Sequence, residues 1–180
     1  MNLSHIHHVL TEAKKITNHT DYVIIGSLTA LGLKADPPDE MVRSIDVDMY
    51  PKDDPGRAGE IAALIGQGSP FEDEYGYYVD AASPDLPTLP DGWEDRFVIH
   101  DFGDVRALFL ELNDAAISKY ARGEIRDRVW IQEGLKAKLL SMPTIDYRLR
   151  ETAFLDEMEE KSVKQRIFED KKLLNLDQET

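Results

Sequence analysis

Tyr22-Val23-Ile24-Ile25-Gly26-Ser27, and then Arg43-Ser44-Ile45-Asp46-Val47-Asp48-Met49-Tyr50, are the stretches on which the reading of this chain turns. The first is a short β-branched and aromatic run, the pattern of a strand buried on both faces, and Gly26-Ser27 ends it at a turn. The second alternates. Ile45, Val47 and Met49 project to one side of an extended chain, Asp46 and Asp48 to the other, with the two acids about 6.5–7 Å apart along the strand. Leu28 to Leu33 suits a short helix that starts at the Gly-Ser turn.

Outward from this pair, residues 4–18 read as a first helix with Ser4 as N-cap and Ile6, Val9, Leu10, Ala13 and Ile16 at helical spacing. Asp36 to Glu40, around Pro37-Pro38, reads as loop. Pro55 opens a helix to about Ile65, with Ile61, Leu64 and Ile65 inward, and Gly66 to Pro70 breaks it. Tyr77-Tyr78-Val79, Phe97-Val98-Ile99 and Val105 to Leu110 are further strands, with a Pro-rich segment over Ser83 to Gly92. From Asn113 the pattern is helical, through Ala115, Ala116 and Tyr120 and again over Ile125 to Leu140, where Pro143 ends the run. The tail, about Asp146 to Leu176, is charged and helical, with Leu149, Leu155, Met158, Val163, Ile167 and Phe168 as apolar positions. The sum is an α+β fold: a core domain over 1–142 and a C-terminal helical extension over 143–180.

Composition narrows the function classes. The chain has 180 residues, 42% of them hydrophobic, enough to bury a core and of a length for one compact domain with appendages rather than two domains. Twenty-one Lys and Arg against 35 Asp and Glu leave a net charge of −14, which repels nucleic acid and anionic membranes. The absence of cysteine excludes disulfides and Cys-ligated metals and fits the cytoplasm. No apolar run approaches the ~20 residues of a membrane span, and Met1 to His8 lacks the basic start and apolar stretch of a signal peptide.

The chemistry lies in the Gly-Ser turn and the acidic strand. Two carboxylates leaving one face of a strand suit a hard, oxygen-seeking cation such as Mg²⁺, which completes its shell with waters and phosphates. A turn of Gly and Ser opening a helix offers N–H groups and a hydroxyl to a phosphate, and Gly lets the phosphate approach closely. The same pieces also describe a plain structural α+β domain, in which both acids face bulk water.

Ile25-Gly26-Ser27 followed by Arg43-Ser44-Ile45-Asp46-Val47-Asp48 resembles the Gly-Ser…Asp-x-Asp signature of the nucleotidyltransferase superfamily. A basic residue and a hydroxyl just before the acids are typical of its bacterial branch, which includes abortive-infection (AbiEii-type) and related toxin–antitoxin nucleotidyltransferases. The resemblance continues in Leu89-Pro90-Asp91-Gly92-Trp93-Glu94-Asp95-Arg96 and in Leu112-Asn113-Asp114-Ala115-Ala116-Ile117-Ser118-Lys119 with Arg126-Asp127, covering about residues 20 to 140.

That resemblance implies a mixed β-sheet flanked by helices and transfer of a nucleotidyl group from a nucleoside triphosphate to an acceptor hydroxyl. Gly26 and Ser27 would touch the triphosphate, with Arg43 and Ser44 beside it. Asp46 and Asp48 would bind Mg²⁺, and Lys119 would neutralise phosphate charge. Asp127 would orient Lys119 or Arg126, or contact the nucleotide. A third acid belongs on a neighbouring strand; Asp80 is the candidate, with a turn acid before Ser83-Pro84 as its other reading. The implied partners are the triphosphate, a cognate antitoxin or toxin, and a second copy in a homodimer. A tRNA end is an acceptor only if Lys119, Arg122, Arg126 and Arg128 cluster at the site mouth. The alternative is a catalytically silent fold acting as a protein-interaction module. Convergence of Asp46, Asp48 and a third carboxylate within about 4–5 Å of one point discriminates the two.

Of the remaining signals, His5, His7 and His8 read as surface histidines, because His7 and His8 point about 100° apart on a helix. Asp53-Asp54 and Glu72-Asp73-Glu74 read as solvated loop charge, and Trp93 as a packing anchor.

Overall fold

Alternate residues of the first strand enter two different hydrophobic cores, and this organises the molecule. A computed structural model describes residues 1–85 and 87–175. Strand β1 (Asp21–Ile24) sends Tyr22 and Ile24 into one core and Val23, followed by Ile25, into the other. It lies at the centre of a five-stranded mixed sheet of order β3-β2-β1-β5-β4, with β2 (Asp46–Pro51), β3 (Tyr78–Ala81), β4 (Val98–Asp101) and β5 (Arg106–Phe109). β1 runs antiparallel to β2 and parallel to β5; β2 and β3 are parallel, and β4 and β5 antiparallel. The α+β architecture with a mixed sheet is the expected one.

One face is covered by α1 (Leu3–Thr17) and α3 (Ala58–Ile65), whose Ile6, Val9, Leu10, Ala13 and Ile61 pack on Val47, Met49, Val79 and Phe109. The other face is covered by α5 (Leu112–Arg122), α6 (Ile125–Lys136), α7 (Met142–Leu149) and α8 (Glu157–Leu173), with short α2 (Asp39–Val42) at the edge. Between α3 and β3 lies α4 (Pro70–Tyr75), with Ser69 as its N-cap and Pro70 in its first turn. The even-numbered residues of β2 face the α5–α8 side: Tyr50 belongs to that core, so Asp46 and Asp48 point there too.

Several local expectations are corrected. Asn2, not Ser4, caps α1: its Oδ1 accepts from the His5 N–H at 3.1 Å, and the Ser4 hydroxyl donates to the same oxygen. Residues 39 and 40 begin α2 instead of continuing a loop. Ile45 precedes β2 and is exposed, and Leu64 faces solvent on the outer side of α3. Helix α6 stops at Lys136, before a left-handed Lys138 (φ 58°), rather than at Leu140, and Pro143 opens α7 instead of only ending a run. The tail is two helices, because Asp156 caps a new start for α8. Of its apolar positions Val163 and Ile167 are buried, while Leu155, Met158 and Phe168 are exposed. Residue 176 lies outside the described residues, as does residue 86 of the Pro-rich segment. The histidines are half-buried rather than free surface groups: His8 Nδ1 meets the Tyr77 hydroxyl at 2.7 Å, and His7 stacks on Phe102.

The second motif is a clamp. Arg96 donates to the Asp91 carbonyl at 3.1 Å and to the fully buried Asp114 of α5 at 2.7 Å, and Arg148 of α7 pairs with the same carboxylate at 3.3 Å. Trp93 packs edge-on to Phe97 against the core.

Candidate functional site

The acids come together through strand register. In the parallel β2–β3 pair Asp48 lies opposite Asp80, one pleat along from Asp46, and one carboxylate oxygen from each of Asp46, Asp48 and Asp80 lies within 4.8 Å of the others. That spacing is close enough for the three carboxylates to hold a divalent cation between them. The donor set, three carboxylates and no nitrogen or sulfur, suits a hard cation. Ser44 donates from its hydroxyl to Asp46 Oδ1, which orients that carboxylate.

The Gly-Ser turn sits directly on this cluster. The Ile25 N–H donates to the Asp48 carbonyl at 3.0 Å, extending the β1–β2 pairing to the turn. Gly26 has φ 74°, and a Cβ there would lie 2.0 Å from Asp48 Oδ2, so only glycine lets the carboxylate lie against the backbone. Ser27 begins a 3₁₀ helix, Ser27–Gly32. Buried Trp130 of α6 holds the corner from behind, donating from Nε1 to the carbonyls of Ser27 (3.1 Å) and Met41 (3.2 Å).

Opposite the acids, α5 presents its cations. Lys119 Nζ donates to Ser27 Oγ at 3.0 Å and to Asp127 Oδ1 at 3.2 Å, and lies 4.8 Å from the Trp130 ring centroid. Burial lowers the Lys119 pKa, and Asp127 opposes that shift. Asp127, fully buried at the start of α6, takes two further bonds from Arg122, at 2.7 and 2.6 Å. Burial pushes the Asp127 carboxyl up, but the Arg122 bonds and the Lys119 charge outweigh it and hold it below the usual aspartate value.

These groups line or back a cavity of about 380 Å³, bounded by Gly26, Asp48, Asp80, Lys119 and Arg122 and by Pro87, Thr88, Leu155 and Glu159. Of the residues singled out from sequence, Gly26, Asp48, Asp80, Lys119 and Arg122 line it. Asp46, Ser27 and Asp127 stand directly behind, joined to the lining groups by the contacts above. Arg43 and Arg126 are not brought to it. Arg43 is exposed and pairs with Glu40 at 3.1 Å, and Arg126 turns outward to Glu124 at 2.6 Å. Arg128 pairs with Glu169 and Asp170, so the cluster of four cations that a tRNA acceptor would require does not form. Arg122 takes the place expected of Arg126. Its spacing, three residues after Lys119 on one helix face, was the available signal. Trp130 and Glu159 carried none.

Residues 4–174 match the family model described as nucleotidyltransferase of unknown function (DUF6036). The chain belongs to this nucleotidyltransferase family. No curated protein and no solved structure matches it. The five-stranded mixed sheet flanked by helices is consistent with a nucleotidyltransferase-like fold. Among the described residues no helix is long and apolar enough to cross a membrane.

Asp48 makes the electrostatics of the site measurable. Burial, with Asp46 and Asp80 adding repulsion, pushes its pKa up to about 6, against the partial relief from Arg122 and Lys119. A carboxyl whose pKa is raised by folding stabilises the fold at low pH, fully below its unfolded value near 4, and that contribution is lost as pH rises through about 6. The shift corresponds to about 3 kcal/mol at neutral pH. Without divalent cation, Asp48→Asn is therefore expected to be more stable than the wild type by about 1–3 kcal/mol at pH 7.5. The gap should close near pH 4, in denaturant melts at both pH values. Mg²⁺ should raise the wild-type midpoint more at pH 7.5 than at pH 5. A variant no more stable than the wild type at pH 7.5 contradicts this account.

Proposed function

We propose that this protein is an Mg²⁺-dependent enzyme that transfers a nucleotidyl group from a nucleoside triphosphate to a hydroxyl acceptor and releases pyrophosphate. The observation that carries the reading is the convergence of three carboxylates from two adjacent strands beside a glycine corner, facing a buried lysine. Asp46, Asp48 and Asp80 would hold the cation. A divalent ion so held supplies Lewis-acid stabilisation of phosphate charge and makes a bound hydroxyl more acidic.

The chain's own groups supply the rest. Gly26 lets the Asp48 carboxylate lie against the backbone, and Ser27 Oγ and Lys119 Nζ, already bonded to each other, offer donors to phosphate oxygens. Asp127 keeps Lys119 and Arg122 extended into the cavity, so their donors are placed before the substrate arrives. The acceptor oxygen attacks the α-phosphorus, the bond to the bridging oxygen of the β-phosphate breaks, and pyrophosphate leaves. Asp80, the exposed member of the cluster, takes the hydroxyl's proton.

The net charge of −14 and the outward turn of Arg126 and Arg128 favour a protein hydroxyl or a small molecule as acceptor over a tRNA end. The position of Asp80 favours the active reading over a silent interaction module. The toxin half of a toxin–antitoxin pair is the cellular role suggested by the motif resemblance, with a cognate antitoxin as partner.

The test is incubation of the protein with each α-labelled triphosphate, Mg²⁺ and cell extract. Label is expected to appear on an acceptor together with free pyrophosphate, and to disappear when EDTA removes the cation. Neither transfer nor Mg²⁺-dependent binding of any triphosphate by calorimetry leaves only the interaction module.

A further inference from the structure

The cavity extends past the acids and cations to a wall that phosphate chemistry does not use. There Pro87 and Leu155 stand at the mouth, and buried Ala82, Leu110 and Ala115 form the apolar lining. Leu155 is 86% exposed, an uncovered apolar side chain at the edge of a cavity. Glu159, from the first turn of α8, is the ionisable group of this wall. Its Oε1 accepts from the Thr88 hydroxyl at 3.2 Å and its Oε2 from the Leu155 N–H at 2.8 Å. Among the described residues it enters no ion pair. A glutamate at this helix position ordinarily folds back to the backbone N–H of the cap residue; here it is held one residue earlier and tied across to the 83–90 segment.

We propose that this part of the cavity is a nucleobase site and that Glu159 makes it selective for guanine. The inference rests on the triphosphate reading above and adds the identity of the base. A carboxylate has about four acceptor positions on its two oxygens, and Thr88 and Leu155 occupy one on each. One acceptor position per oxygen remains for a ligand. Guanine presents its ring N1–H and exocyclic N2–H₂ as adjacent donors and matches that pair. Adenine sets a ring acceptor beside its amino donor, so a carboxylate lone pair would face a nitrogen lone pair. A site built on hydrogen bonds discriminates against a ligand that leaves its groups unpaired. The apolar wall and the uncovered Leu155 suit the faces of a ring, and about 380 Å³ lies in the range of small-ligand sites. Two residues of the C-terminal segment thereby determine specificity without touching the reacting atoms.

The experiment is calorimetric binding, with Mg²⁺, of the α,β-methylene analogues of GTP and ATP and of inorganic tripolyphosphate, which has no base. The wild type is expected to bind the guanosine analogue about tenfold or more tighter than the adenosine analogue. Glu159→Gln should bring that ratio close to one and leave tripolyphosphate affinity unchanged. Equal affinities in the wild type, or a ratio that survives Glu159→Gln, overturns the base assignment while the triphosphate site stands. If neither analogue nor tripolyphosphate binds, both readings fall together. Should Glu159→Gln not fold, Thr88→Val decides: it removes one donor that orients the carboxylate, and an unchanged ratio rejects the proposal.

Discussion

Asp46→Asn/Asp48→Asn is expected to lower nucleotidyl transfer by about a thousandfold or more, the loss that follows when some 4 kcal/mol of transition-state stabilisation disappears. The magnitude reflects what the two side chains do together. Each contributes an oxygen to a cluster whose members lie within 4.8 Å of one another, and Asn offers a neutral oxygen in place of a charged one. Asp80 alone, exposed at the edge, would retain a cation weakly. The loss belongs to chemistry and not to folding, because removing charge from a buried acidic cluster relieves the repulsion that raises Asp48. The double variant should thus melt no lower than the wild type while transferring almost no label. Transfer that survives the double change rejects the metal assignment.

The second large effect is on stability. Asp127→Ala is expected to cost about 3–5 kcal/mol in urea unfolding at neutral pH, because it strips a buried ammonium of its counter-charge. Lys119 has a side chain only 4% exposed, bonded to Asp127 and Ser27, so loss of Asp127 leaves its charge poorly solvated. Arg122 is 43% exposed and adds less, since solvent screens it. Lys119→Met combined with Asp127→Leu should recover much of the lost stability, because a buried pair replaced by apolar groups of similar volume is often neutral. It should recover none of the transfer activity. An Asp127→Ala protein within 1 kcal/mol of the wild type would show that Lys119 finds another partner or water.

How much of this was legible depends on whether a feature was local. The β1 run, the turn at Gly26-Ser27 and the alternation through Asp46 and Asp48 are written in periods of two and in one glycine, and each appears at its expected place. Asp80 was ambiguous because its meaning lies in register: only the parallel pairing of β2 with β3 sets it opposite Asp48. Arg126 was placed at the site by the motif resemblance, yet on α6 it projects about 100° from its neighbour Asp127, so that Asp127 points in and Arg126 out. The tail read as one helix because its charge and apolar spacing continue across Arg150 to Asp156, where Asp156 starts a second one. Leu155 and Met158 read as apolar positions of one helical pattern, whereas they flank that new start and face outward.

The two-sided sheet also sets a timetable. The layer beneath it is built from residues up to Val79 together with β4 and β5, whereas the wall beside the acids is completed by residues 155 and 159. Chains emerge from the ribosome amino end first. A nascent protein that has delivered β1 to β3 already displays its glycine corner and three carboxylates, but not yet the enclosure around them. The enclosure around the acids is thus drawn from segments synthesised after the acids themselves.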